Sequence, residues 1–217
     1  MIKYRLSEFK TPEKHMHLVW RRFVVDPLFK LPAYFIANFT GITPNQINFL
    51  TLILSVFQFY FFLKGNLILG AIFNQLSFGF DQIDGKIARL KKIVTKQGTL
   101  TDGLCDKLRV FLGVLGLTFY FQQNLLFVVL LLTFLFTNLM YDFIGLFLLY
   151  RVHHVFNDKL VINNNKPSKS QQISFSTQEQ EALVFFFAPL SYYFNTSLIY
   201  YFIGLAVILM LVYLTLR

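Results

Sequence analysis

The chain has 217 residues, of which 55% are hydrophobic, 18% aromatic and 14% charged, and its net charge is +9. Soluble domains carry about 25% charged residues; here the deficit falls in long uncharged stretches, which excludes an ordinary soluble domain and points to a membrane. The single cysteine, Cys105, excludes an internal disulfide and so implies no oxidising compartment.

In chain order, residues 1–40 read as a cytoplasmic N-terminal segment, charged enough that no cleavable signal peptide is expected. Residues 11–40 mix Trp, Phe and Leu with Arg and Lys. This predicts an amphipathic helix on the cytoplasmic membrane face, bent by Pro27 and Pro32. Residues 41–217 then form the membrane domain. A crossing helix needs about 20 apolar residues, and six candidates follow at 45–62, 67–88, 99–121, 125–150, 181–194 and 198–216. The fifth is short and contains Pro189, so its start reaches back toward Ser174. The polar, aperiodic stretch 157–172 is a loop. The fold class is therefore an all-α membrane protein, with six transmembrane helices preceded by an interfacial helix.

Basic residues set the orientation, because cytoplasmic loops collect Lys and Arg. They cluster before span one, between spans two and three (Lys86, Arg89, Lys91, Lys92, Lys96), and between four and five (Arg151, Lys159, Lys166, Lys169). The turns after spans one, three and five carry only Lys64 among them. Both termini are thus expected in the cytoplasm. The sequon at 195–197 sits on a turn tight against the bilayer and is read as chance.

The stretch "DQIDGKIARLKKIVTKQGTLTDGLCD", residues 81–106, carries four carboxylates beside hydrophobic segments. Asp81 and Asp84 are three apart, and Asp102 and Asp106 four apart, so each pair shares a helix face. A carboxylate inside a membrane costs about 2.5–3.5 kcal/mol on insertion scales, so four together require neutralisation. An all-oxygen donor set suits Mg²⁺ or Mn²⁺ rather than Zn²⁺, and four carboxylates suffice to bridge two ions. Such a cluster at a membrane surface serves a phosphate-bearing substrate. Gly85 and Gly98 permit close approach of a ligand, and Arg89 can pair with a phosphate bidentately.

The pattern Asp81-x2-Asp84-Gly85-x2-Ala88-Arg89-x8-Gly98-x3-Asp102-x3-Asp106 resembles, position for position, the signature of the CDP-alcohol phosphotransferase family. The six-span layout, the interfacial helix and "ITPNQIN" (42–48) extend the resemblance over most of the chain from about residue 20. It implies a reaction in which an acceptor hydroxyl attacks the β-phosphorus of a CDP-linked alcohol and displaces CMP. It implies further that Asp81, Asp84, Asp102 and Asp106 hold two metal ions and that Asp106 is the base. Asp84, Gly85, Ala88, Arg89, Gly98 and Asp102 would bind the nucleotide. Asn45 is either a further nucleotide contact or a helix cap after Pro44. The expected partners are a CDP-linked donor, an alcohol acceptor and the lipid bilayer; a homodimer is common in the family, and no nucleic acid is expected.

Other residues have plainer readings. Lys107 and Arg109 balance the aspartates or bind a phosphate. Arg151, Lys159, Lys166 and Lys169 follow the positive-inside pattern or form an anionic-acceptor site. Asp142, costly within span four, pairs with a basic residue or contacts the acceptor. Glu179 and Glu181 suit a helix N-terminus or contact the acceptor. His153 and His154 are read as interfacial and Cys105 as packed. Two directions stay open: CDP-diacylglycerol donating a phosphatidyl group to a small alcohol, or a CDP-linked small alcohol donating to a lipid hydroxyl. A Mg²⁺-dependent prenyltransferase and a cation carrier are the alternatives outside the family.

Overall fold

The structure, a computed structural model, describes residues 4–9, 20–93, 95–155 and 177–215, and among these there is no strand. A π turn, Arg21–Val25, leads into α1 (Asp26–Phe39). Then come α2 (Pro44–Leu63), α3 (Leu67–Leu90), α4 (Lys96–Tyr120) and α5 (Leu125–Val155). α6 (Thr177–Ala182) runs through a second π turn, Leu183–Phe187, into α7 (Ala188–Ser191), and α8 spans Leu198–Thr215.

Local chemistry explains the boundaries. Thr43 caps α2 in a reciprocal box with Gln46, and Pro44 fills a first-turn position that has no N–H bond to lose. Asn66 caps α3 through the Leu69 N–H, and Thr95 caps α4 through the Gly98 N–H. Gly65, at φ 77°, makes the turn between α2 and α3, where a side chain would be strained and would strike the Tyr120 ring. Each π turn ends just ahead of a proline, Pro27 or Pro189. A proline cannot donate to the carbonyl four residues back, and the wider register absorbs that loss. Pro32 lies inside α1 without ending it.

The predicted spans two, three, four and six correspond to α3, α4, α5 and α8. The fifth begins at Thr177 and its last helical residue is Ser191. Glu181 is therefore one turn inside the helix, not at its start.

α2 packs along both α3 and α4, α5 packs on α8, and α1 lies on α3. Between helices in lipid there is little hydrophobic drive, so close approach depends on small residues. Gly116 is such a place: a Cβ there would come 2.9 Å from the Phe59 carbonyl oxygen on α2. Gly79 is another, covered by the Phe29 ring of α1. One apolar core joins α2, α4, α5 and α8 with the second π turn through Phe62, Val114, Phe134, Phe185 and Ile203. A second joins α1 to α3 through Phe29, Ala33, Phe78 and Ile83.

Large apolar side chains also cover the exterior, among them Phe49 and Val56 on α2, Phe136 and Phe143 on α5, and Tyr201 and Ile208 on α8. Apolar exposure on this scale marks a non-aqueous neighbour. Among the described residues, α2 is the one helix long and apolar enough to cross a membrane by composition alone; Leu125–Met140, Gln180–Ser191 and Leu198–Val212 are shorter apolar helices.

Candidate active site

The last turns of α3 and the first half of α4 bring the four aspartates together. Asp81 and Asp84 are buried, and Asp102 and Asp106 are half-buried. Asp81 lies within electrostatic reach of the other three, and the Asp84 and Asp102 carboxyl groups lie close to each other. Asp106 instead accepts a 2.7 Å bond from Arg109 Nη2, and Asp81 accepts one of 3.0 Å from Gln82 Nε2.

One oxygen on each of three aspartates, Oδ1 of Asp81, Asp84 and Asp102, is buried without a hydrogen-bond partner. Orphaned buried carboxylate oxygens are costly, and they are the donors a hard divalent cation takes. The four do not close into a cage; among the described residues no group of three or more Asp, Glu, His or Cys side chains is arranged to hold a metal ion. Asp106 faces Arg109, and Asp84 and Asp102 face each other. The donor chemistry fits a divalent ion: three buried carboxylate oxygens, on Asp81, Asp84 and Asp102, have no other partner.

Beside the carboxylates lies a cavity of about 370 Å³. Its walls include Asp84, Gly85, Ala88 and Arg89 from α3, Gly98 and Asp102 from α4, and Asn45 from α2. Every residue expected from the sequence to meet the nucleotide thus lines one space. Thr43, Pro44, Asn48, Ile93 and Thr95 complete the lining. The N-termini of α2 and α4 both open here, so two helix dipoles add their positive ends to the Arg89 charge, a setting that favours an anion. Gly85 leaves space beneath Arg89: a Cβ would sit 3.4 Å from its Nη1. Asn48 is a polar lining residue that the sequence pattern does not single out. It is 4% exposed with Oδ1 unpartnered, and its spacing of three from Asn45 on α2 was the available signal.

Four cations near the site have partners. Lys86 is buried in an ion pair with Asp26 of α1. Arg21, buried beside Asp26, has its guanidinium lowered from the ordinary value, chiefly by loss of water. Lys107 donates to Asn138 Oδ1 on α5 at 3.1 Å, and Arg109 lies 2.8 Å from Glu181 Oε2. Glu181, expected at a helix N-terminus, is therefore a buried partner of Arg109. Cys105 is buried, as expected. Asp142, Arg151, His153, His154 and Glu179 lie on helices, but their side chains are outside the described residues; Lys159, Lys166 and Lys169 lie outside them altogether.

An anion-attracting cavity walled on one side by acids, in a helical body with an apolar exterior, belongs to membrane enzymes that work on phosphate esters. A family model described as CDP-alcohol phosphatidyltransferase matches residues 41–216. The chain belongs to that family, and it is accordingly a membrane transferase of substituted phosphate groups in phospholipid synthesis. This removes the prenyltransferase and the cation carrier.

Two solved structures of Mycobacterium tuberculosis phosphatidylinositol phosphate synthase, PgsA1, share the fold. The form with CDP-DAG bound is 18% identical, covering 87% of this chain and 88% of its own at a TM-score of 0.62. The apo form is 19% identical, covering 79% and 85%, at 0.60. No curated protein sequence matches the chain.

Proposed function

We propose that the protein transfers a phosphatidyl group from CDP-diacylglycerol to the hydroxyl of a small alcohol, releasing CMP. The observation that carries this reading is the cavity in which Asn45, Gly85, Ala88, Arg89 and Gly98 meet Asp84 and Asp102. The donor is the ligand named for the mycobacterial structure.

In this reading Arg89 and the two helix N-termini hold the diphosphate, and Gly85 and Ala88 leave room for the nucleoside. Asp81, Asp84, Asp102 and Asp106 would hold two Mg²⁺ or Mn²⁺ ions, which when bound neutralise phosphate charge. Asp106 takes the proton from the acceptor hydroxyl. The acceptor oxygen then forms a bond to the β-phosphorus, and the bond to CMP breaks with its electron pair leaving on CMP. Lys107, Asp142, Arg151 and Lys159 are the candidate acceptor contacts.

The same reading places the six-helix domain, residues 41–217, across the bilayer. The segment 1–40, the active site and both termini lie on the cytoplasmic side, where CDP-lipid head groups and free metal ions are available. The apolar exterior and the run of basic links support it. A homodimer formed through that exterior fits as well, and the mass of the protein in nanodiscs reads it directly.

The test is purified full-length protein in nanodiscs with CDP-diacylglycerol, Mg²⁺ or Mn²⁺, and a panel of alcohols, with CMP and lipid product both followed. CMP release that needs acceptor and stops with EDTA is expected. A parallel arm offers CDP-linked small alcohols with diacylglycerol. Turnover in that arm alone would overturn the assigned direction.

A further inference from the structure

One cation sits at the junction of three helices. Arg109 of α4 is 1% exposed. Its Nη2 donates to Asp106 Oδ1 at 2.7 Å, and its Nη1 lies 2.8 Å from Oε2 of Glu181, which comes from α6. The guanidinium carbon lies 5.1 Å from the centroid of the Phe78 ring on α3. Glu181 is itself 6% exposed.

Simple neutralisation does not require this arrangement. One buried acid would balance one buried arginine, whereas here two acids share it. A guanidinium is a rigid planar fork. The Glu181 carboxylate, 2.8 Å from Nη1 though not aligned for a hydrogen bond, attracts the group, and Phe78 lies beside it; together they bias the direction in which Nη2 points. Nη2 in turn fixes Oδ1 of Asp106. The Asp106 side chain is 37% exposed, so with Oδ1 engaged the rest of the carboxylate is the part able to meet a substrate. Among the described residues, Asp106 is the aspartate of the four whose carboxylate forms an ion pair with a buried cation.

We propose that Glu181 and Arg109 are positioning residues for Asp106: Glu181 aims Arg109, and Arg109 aims the carboxylate, so that the fifth span contributes to the chemistry without touching substrate. This rests on the reading of Asp106 as the base. The proton path is unchanged, from the acceptor hydroxyl to Asp106, with Arg109 remaining a cation throughout.

The experiment uses full-length protein in nanodiscs and four variants: Arg109→Lys, Arg109→Met, Glu181→Gln and the double variant Arg109→Met/Glu181→Met. Each is measured for thermal unfolding, equilibrium binding of CDP-diacylglycerol, and kcat and KM for donor and acceptor. Arg109→Met should lower kcat on the order of a hundredfold, the scale of a misplaced catalytic group, and leave donor binding unchanged. Glu181→Gln should lower kcat less, and Arg109→Lys should restore part of it.

The double variant decides between positioning and packing. Replacing both members of a buried pair by apolar residues of similar size restores stability, so its unfolding temperature should match that of the wild type while kcat stays low. Recovery of kcat in the double variant, or an unchanged kcat in Arg109→Met, would overturn the proposal. A wild-type protein that releases no CMP is a separate result; it removes the function of Asp106, and the positioning role falls with it.

Discussion

Gly85→Ala separates the geometry of the cavity from the stability of the helix. Gly85 lies inside α3, where alanine is intrinsically better than glycine by about 0.8–1.0 kcal/mol. The new Cβ would lie 3.4 Å from Arg89 Nη1 and 3.7 Å from Nη2, ordinary contact with the end of a flexible side chain. The fold should therefore be unchanged or slightly more stable. The same methyl enters the cavity between Asp84 and Ala88, where the nucleotide is proposed to lie. Overpacking a fitted contact costs about 1–3 kcal/mol, which raises KM for the CDP-linked donor roughly 5- to 150-fold. Thermal unfolding and initial rates of CMP release against donor concentration measure the two effects separately. An unchanged donor KM at an unchanged unfolding temperature would show that the nucleotide does not pass over Gly85, and the site reading would be wrong. A fall in unfolding temperature would refute the packing argument instead.

Asp106→Asn keeps an oxygen for Arg109 but removes the base. CMP release should fall about 10²–10⁴-fold while donor binding and unfolding temperature persist, and retained turnover would eliminate Asp106 as the base. Lys86→Met takes one cation from Asp26, which keeps Arg21 beside it, and should destabilise by about 1–3 kcal/mol, the cost of a buried polar group that loses one partner; chemical or thermal unfolding reads it. Gly116→Ala forces α2 and α4 apart against a backbone carbonyl and should cost about 1–3 kcal/mol with no specific change in KM. A neutral Gly116→Ala in unfolding assays would mean that α2 and α4 do not approach so closely.

The carboxylate cluster was legible because its information is local. Spacings of three and four fix a helix face without reference to the rest of the fold, and a short basic link obliges α3 and α4 to meet. The cavity lining followed for the same reason, since Gly85, Ala88 and Arg89 lie within two turns of Asp84. Asn48 was legible in principle, one turn from Asn45, but a lone Asn in an apolar run resembles any tolerated polar residue. The ion pairs were not legible. Lys86 and Asp26 are 60 residues apart, and Arg109 and Glu181 stand on different helices, so only the packing of α1 and α6 reveals either pair. Acids at 179 and 181, ahead of an apolar run, match a helix start in sequence, whereas the helix begins at Thr177 and carries Glu181 one turn in. The π turns that let Pro27 and Pro189 follow so closely leave no pattern in hydropathy.

The docking of α1 has a consequence for where the enzyme works. One side of this helix, through Val25, Phe29, Ala33 and Ala37, is packed in the core shared with α3, and Asp26 clasps Lys86 two positions from Asp84. The other side presents Leu28, Leu31, Phe35 and Phe39 outward. In the proposed orientation those four float at the lipid waterline like a collar. A collar bolted to the catalytic helix makes immersion depth a built-in dimension: the carboxylates ride at a fixed height relative to the head-group plane, whatever the thickness of the membrane beneath them.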